Sequence, residues 1–118
     1  MKRDERVIIK KITEYCDDIA ELLNKFKQDY TLYLSDKYFQ YACTMCIIQI
    51  GELTNRLSEE FKTAHKEIPW KAIRSMRNIH AHDYENVNPS VVWQTLTVDI
   101  PELRANLIKI MDEKPTNG

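Results

Sequence analysis

The chemistry in this chain is concentrated in eleven residues, Arg74-Ser75-Met76-Arg77-Asn78-Ile79-His80-Ala81-His82-Asp83-Tyr84. Two of the side chains are guanidiniums and two are imidazoles, joined by an amide and a phenol. Arginine supplies a permanent planar charge that can hold a phosphate through two donors. Histidine is the side chain best placed to take and give a proton near neutral pH. Together they could bind a phosphodiester and move protons around it. In an unbroken helix Arg77 and His82 stand five residues apart, about 140° around the axis, so convergence requires a break after Ala81. Asp83 and Asn86 are suitable loop formers for that break. The competing reading is a solvated helix end, where cations favour the macrodipole. On composition alone the two readings stand level.

Charge distribution favours a local site. The chain carries 17 basic and 18 acidic residues, a net of −1. Within residues 62 to 82, Lys62, Lys66, Lys71, Arg74 and Arg77 face one acid, Glu67, which gives +4, and His65, His80 and His82 lie there too. The rest of the chain carries 12 basic against 17 acidic residues, or −5. An anion-binding strip on an otherwise acidic protein is a local site, not a general nucleic-acid coat. Lys71 and Arg74 could extend a phosphate track or simply be solvated. His80 lies three residues from Arg77 on one helical face, and His65 reads as a loop residue.

Other chemistry is weaker. Cys43-Thr44-Met45-Cys46 has redox or metal spacing, but it sits mid-helix among isoleucines and reads as buried core. A zinc site needs four ligands, and no second pair at finger spacing follows. Glu14, Asp17, Asp18 and Glu21 form an acidic helix face without the Glu-x-x-His partners of a two-metal site. No metal and no cofactor is called for. Cys16, Cys43 and Cys46 are an odd count in helix-like stretches, which suits reduced thiols inside a cell.

The elements that must position the motif are helical. At 118 residues the chain is sized for one domain, 1–118. Gly51 and Gly118 are its only glycines, and Pro69, Pro89, Pro101 and Pro115 its only prolines. Few tight turns disfavour a many-stranded sheet and any glycine-rich phosphate loop. No apolar run reaches the length of a membrane span, and Met1-Lys2-Arg3-Asp4-Glu5-Arg6 lacks the apolar core of a secretory signal. A soluble, cytoplasmic protein is expected. Ile8, Ile12, Tyr15, Ile19, Leu22 and Phe26 recur at helical spacing, predicting one helix over roughly residues 4 to 29. Residues 28 to 35 read as a connection, with Ser35 or Asp36 as the next cap. From Tyr38 to Ile50 ten of thirteen residues are apolar. That helix is either the centre of the bundle or is covered by a second subunit, and the small chain favours the second subunit. Ile68-Pro69-Trp70 restarts a helix with proline at its first position, running through Ile73 and Met76 and changing near His80 to Tyr84. Asn88-Pro89-Ser90 starts another, with Asn88 as cap. Trp93, Leu96, Ile100, Leu103, Leu107 and Ile110 form its seam, and Pro101 should kink it. The expectation is an all-α, up-and-down bundle of four to five helices with a kinked C-terminal helix.

Arg77-Asn78, then three residues, then His82-Asp83-Tyr84 resembles the Arg-Asn-x-x-x-His-x-Tyr pattern of HepT-like toxins in the HEPN superfamily. Ile48 to Ser58 is similar to that family's second-helix signature. Ile68-Pro69-Trp70 and Asp99-Ile100-Pro101-Glu102-Leu103 are similar as well, so the resemblance covers nearly the whole chain. It implies a HEPN-like bundle that forms a homodimer, with two Arg77/His82 pairs meeting in a cleft. It also implies metal-independent endoribonuclease activity on an RNA substrate such as tRNA or mRNA. By carry-over His82 shuttles the proton, Arg77 binds the scissile phosphate, and Asn78 holds the loop or a backbone oxygen. Arg74, His80 and Lys71 are the flanking phosphate-binding candidates. Tyr84 corresponds to the tyrosine that a cognate minimal nucleotidyltransferase antitoxin adenylylates, whereas a bare aromatic at a helix end would only pack. The alternative function is a non-catalytic helical binding module that partners a nucleotidyltransferase.

Overall fold

The computed structural model describes residues 2–78 and 88–113, with only the backbone given at 77 and 78. Its described residues form helices and no strand: α1 (Arg3–Lys25), α2 (Tyr30–Ser35), α3 (Lys37–Asn55), α4 (Glu59–Ala64), α5 (Trp70–Arg74), a 3₁₀ turn (Ser75–Asn78), α6 (Pro89–Gln94), a π-helical turn (Thr95–Asp99) and α7 (Ile100–Asp112). The all-α bundle expected from the sequence is what forms.

α1 buries Ile8, Ile9, Ile12, Cys16, Ile19 and Leu23, while Tyr15, Leu22 and Phe26 are only partly buried. The stripe is thus centred one residue further round than the spacing alone suggests, because α3 and α7 both pack on α1 and widen the buried arc. α1 also stops short of residue 29. The Gln28 amide donates to the Leu23 carbonyl at 2.7 Å and the Lys27 amide to that of Asn24 at 3.1 Å. These are the two bonds of a Schellman end. The motif needs left-handed backbone, and here Lys27 (φ 58°) and Gln28 (φ 50°) adopt it without a glycine.

The segment expected to be a plain connection contains α2. Asp29 caps it, its carboxylate accepting from the amides of Thr31 (2.8 Å) and Leu32 (3.3 Å). Asp36 then caps α3, accepting from Tyr38 (2.9 Å) and Phe39 (3.0 Å). Two aspartates seven residues apart therefore define a short helix that periodicity cannot register, since it is under two turns long. Tyr33 of α2 is fully buried. It packs edge-on to Phe39 at 5.4 Å and against Trp93 at 5.3 Å, while Phe26 stacks on Phe39 at 4.1 Å. This aromatic cluster joins α1, α2, α3 and α6 at one end of the bundle.

α3 is the central helix: α1, α2, α5 and the 3₁₀ turn all pack on it. Phe39, Cys43, Cys46, Ile47, Ile50 and Leu53 are buried within the chain itself. Burial of most of α3 therefore needs no second subunit. What remains is a narrower apolar strip, with Tyr38 72% and Met45 57% exposed. The interruption expected at Pro101 takes the form of the π-helical turn from Thr95 to Asp99. Proline has no amide to donate and its ring crowds the preceding turn. Widening the helix just before it accommodates both effects. The seam survives, with Leu96, Ile100, Leu103, Leu107 and Ile110 all buried.

Candidate functional site

The motif segment is held between two built ends. On its N-terminal side, Ser58 caps α4 by accepting from the Phe61 amide at 3.1 Å. The same hydroxyl donates to the Glu5 carboxylate, tying the cap to the start of α1. The chain turns at the end of α4 and re-enters helix at Trp70. Pro69 occupies the cap position (φ −77°, ψ 72°), not the first helical position expected for it. Its carbonyl accepts from the Ile73 amide at 3.1 Å, so it starts the helix all the same. On the C-terminal side, Asn88 caps α6 as expected, accepting from the Ser90 amide at 3.0 Å and hydroxyl at 2.8 Å.

Trp70 fixes the angle between α4 and α5. Its indole N–H donates to the carbonyls of His65 (2.9 Å) and Lys62 (3.2 Å) at the end of α4. Its ring packs edge-on to Phe61 at 5.9 Å, and Phe61 in turn contacts the His65 ring at 4.6 Å. His65 ends α4 with its Nδ1 3.7 Å from a Glu67 carboxylate oxygen, in keeping with a residue at the edge of a loop.

Above this aromatic floor lies an open groove of about 390 Å³ between α4 and α5. Lys71 and Arg74, the two flanking candidates that lie within the described residues, both line it and both are exposed. Lys62 and Lys66 line it too. The sequence placed them in the basic strip of residues 62 to 82 but not among the individual phosphate-binding candidates. Lys62 stands on α4 and Lys66 in the turn after it, so the turn between α4 and α5, not a shared helix face, brings them together. Lys62 is nearly buried, and its ammonium lies 3.8 Å from the carboxylate of Glu59, whose side chain is 87% exposed.

The helix from Trp70 does not continue as α-helix to His80. It tightens into 3₁₀ geometry at Ser75, and Arg77 and Asn78 stand on that turn, which packs on α3. A 3₁₀ stretch is a common way for a helix to end, so the change comes earlier than expected. The side chains of Arg77 and Asn78 lie outside the described residues, as do His80, His82, Asp83, Tyr84 and Asn86 and the break expected after Ala81.

The cysteines behave as core. All three are buried and unpaired with one another. Burial pushes the thiols of Cys16 and Cys43 up to about 12 and that of Cys46 up to about 11. Thiols held so far from ionisation are poor nucleophiles at neutral pH. On the acidic face of α1, Asp17 pairs with Arg104 of α7, so part of that face is structural. Among the described residues no helix is long and apolar enough to cross a membrane.

Residues 12–110 match the family described as Ribonuclease HepT-like. Among curated proteins, the chain is 34% identical to "Probable ribonuclease HepT" of Thermococcus cleftensis, over 82% of this chain and 93% of that one. It is 30% identical to a "Putative RNase" of Methanocaldococcus jannaschii, over 95% and 91% of the two chains. A "Putative RNase" of Caldanaerobacter subterraneus is 28% identical, over 92% and 96%. No solved structure matches the chain.

Proposed function

The chain belongs to the Ribonuclease HepT-like family, and from that membership we propose that it is a ribonuclease, the toxin of a toxin–antitoxin pair, cleaving RNA endonucleolytically without a metal. The observation that carries the proposal is the run Arg77-Asn78, three residues, His82-Asp83-Tyr84. It lies inside the matched span and begins on the 3₁₀ turn that follows α5.

RNA brings its own nucleophile. The 2′-oxygen attacks the adjacent phosphorus, the P–O5′ bond breaks, and a 2′,3′-cyclic phosphate forms. The 2′-hydroxyl proton must leave and the 5′-oxygen must gain one, so the step is redox-neutral and needs only proton transfer and charge stabilisation. In this reading His82 moves the proton. Arg77 holds the phosphate and offsets the charge that develops on the phosphorane, and Asn78 holds the adjoining backbone. Lys71, Arg74 and His80 bind neighbouring phosphates. A homodimer would pair two such sets and supply acid and base from different subunits. The exposed Tyr38–Met45 strip of α3 supports that assembly.

Tyr84 is the control point in this reading. A nucleotidyltransferase antitoxin would join its phenol oxygen to the α-phosphorus of ATP, with pyrophosphate leaving. The added phosphodiester and nucleobase would put negative charge and bulk beside Arg77 and exclude RNA.

The test is cleavage of a tRNA pool in chelator by the unmodified chain, with Arg77→Ala and His82→Ala beside it. The parent should cut, and loss of His82 should slow cutting about 10²–10⁴-fold, the range for a positioned general acid or base. Equal cutting by His82→Ala would overturn the assignment. Intact RNA in every lane would move the reading to a non-catalytic module that binds a nucleotidyltransferase, which the net charge of −1 favours over a broad RNA-binding surface.

A further inference from the structure

The α4–α5 groove holds an ammonium that its own chain leaves under-compensated. Lys62 is 9% exposed, yet its one ion-pair partner among the described residues is the solvent-facing Glu59 at 3.8 Å. A charge-assisted hydrogen bond is about 2.7–2.9 Å long, so the pair is a loose one. The Lys62 side chain lines the groove, and an anion there would give the ammonium a closer partner than Glu59 does. Lys66, Lys71 and Arg74 line the same space, so four cations face one carboxylate.

The floor is arranged to the same end. The last carbonyls of a helix carry partial negative charge that would repel an anion. Trp70 donates its indole N–H to two of them, those of Lys62 and His65. The groove also points at the motif: Arg74 ends α5, and Arg77 follows one turn later on the same helical run.

We propose that this groove is a flanking subsite for one strand of RNA, with Lys62, Lys66, Lys71 and Arg74 taking the phosphodiesters next to the one cleaved. The groove is open and about 390 Å³, and in-line attack by the 2′-oxygen needs a backbone free to leave duplex geometry, so the strand it takes is unpaired. The inference rests on the ribonuclease reading and adds to it Lys62, Lys66 and the requirement for an unpaired strand. Glu59 is the one carboxylate among the described lining residues, and a phosphate would compete with it for Lys62.

The experiment uses the full chain and a short fluorescein-labelled RNA with 2′-O-methyl groups, which the parent cannot cut. Anisotropy gives the affinity across about 50 to 200 mM salt. Each phosphate contact on a single strand contributes about 0.7 to the slope of log affinity against log salt. Lys66→Gln/Lys71→Gln should flatten that slope by about 1.4. The affinity lost across the fourfold salt range then shrinks by about sevenfold. Both lysines are exposed, and unchanged far-UV circular dichroism would verify folding. Glu59→Gln should act in the opposite direction and tighten binding. An unchanged slope in the double variant, with the parent still cutting unmodified RNA, would overturn the subsite and leave the ribonuclease standing. No binding and no cutting by the parent would remove both. Unaltered RNA binding with lost capture of a purified nucleotidyltransferase would reassign the groove to a protein partner. Equal affinity and slope for a matched duplex would overturn the single-strand requirement.

Discussion

Replacing Trp70 with phenylalanine should destabilise the fold and deform the groove while leaving every charge in place. The loss has two parts. The indole N–H serves two carbonyls, at 2.9 Å and 3.2 Å. Neither is orphaned without it, because the Lys62 carbonyl also accepts from the His65 amide at 3.2 Å and that of His65 from the Ile68 amide at 3.3 Å. What is lost is one net hydrogen bond, about 1 kcal/mol, not the larger penalty of a buried unsatisfied group. The second part is the smaller ring. Trp70 is only 9% exposed and sits against Phe61. Trimming it leaves a partial void whose penalty, about 1–2 kcal/mol, must fall below the 3–5 kcal/mol of complete removal to alanine.

The sum is about 2–3 kcal/mol, read as the shift in urea midpoint at unchanged m-value. A shift worth less than about 0.5 kcal/mol would refute the account, since neither a buried hydrogen bond nor a packed indole could then be present. The same variant separates scaffold from charge. All four groove cations remain, so its affinity for RNA should fall while its salt slope stays as in the parent. A flattened slope would mean that the indole, and not only the cations, engages the phosphates.

The buried thiols set an alkaline limit on stability. Their ordinary value is 9.0, and folding raises them to about 12, 12 and 11. Above pH 9 the unfolded chain loses these protons while the folded one keeps them, so stability should decline as pH rises from 9 toward 11–12. Urea titrations across that window check the sign. The native thiols should also resist alkylation at neutral pH until denaturant is added. Lys27→Gly, at φ 58° in the Schellman end of α1, should stabilise by about 0.5–1 kcal/mol in the same unfolding assay, because glycine enters left-handed backbone without a side-chain clash. Met45→Glu places a charge in the exposed strip of α3. On the proposed homodimer, light scattering should report a dimer for the parent and a monomer for the variant, with far-UV circular dichroism unchanged.

Long-range patterning and local chemistry were unequally legible in the sequence. The seams of α1 and α7 could be read because each helix is long enough for its buried arc to recur several times. Asp36 and Asn88 were recognisable as caps because a short acceptor side chain before an apolar run has one common use. α2 and the α4–α5 pair were not legible by the same route. They are six, six and five residues long, too short for a period to show. Their shape depends on contacts that cross them, Asp29 on the amides of Thr31 and Leu32, and Trp70 on the carbonyls of Lys62 and His65. The apolar richness of α3 suggested a second subunit because sequence cannot tell burial by neighbouring helices from burial by another chain. Among the described residues α1, α2, α5 and the 3₁₀ turn pack on it, which leaves the Tyr38–Met45 strip exposed.

The site divides along the same line. The Arg77 and His82 spacing is a pattern of residue types and can be read without coordinates. The groove beside it is a matter of angle: Lys62, Lys66, Lys71 and Arg74 form one surface only because the indole N–H draws α5 against the end of α4. This also resolves how a chain of net charge −1 could handle a polyanion. Counterion release depends on the cations that touch phosphate, not on total charge. Exposed acids elsewhere, such as Glu14, Asp18 and Glu21 on α1, would discourage non-specific contact. An acidic body with one basic groove would therefore confine RNA to the strand that leads to Arg77.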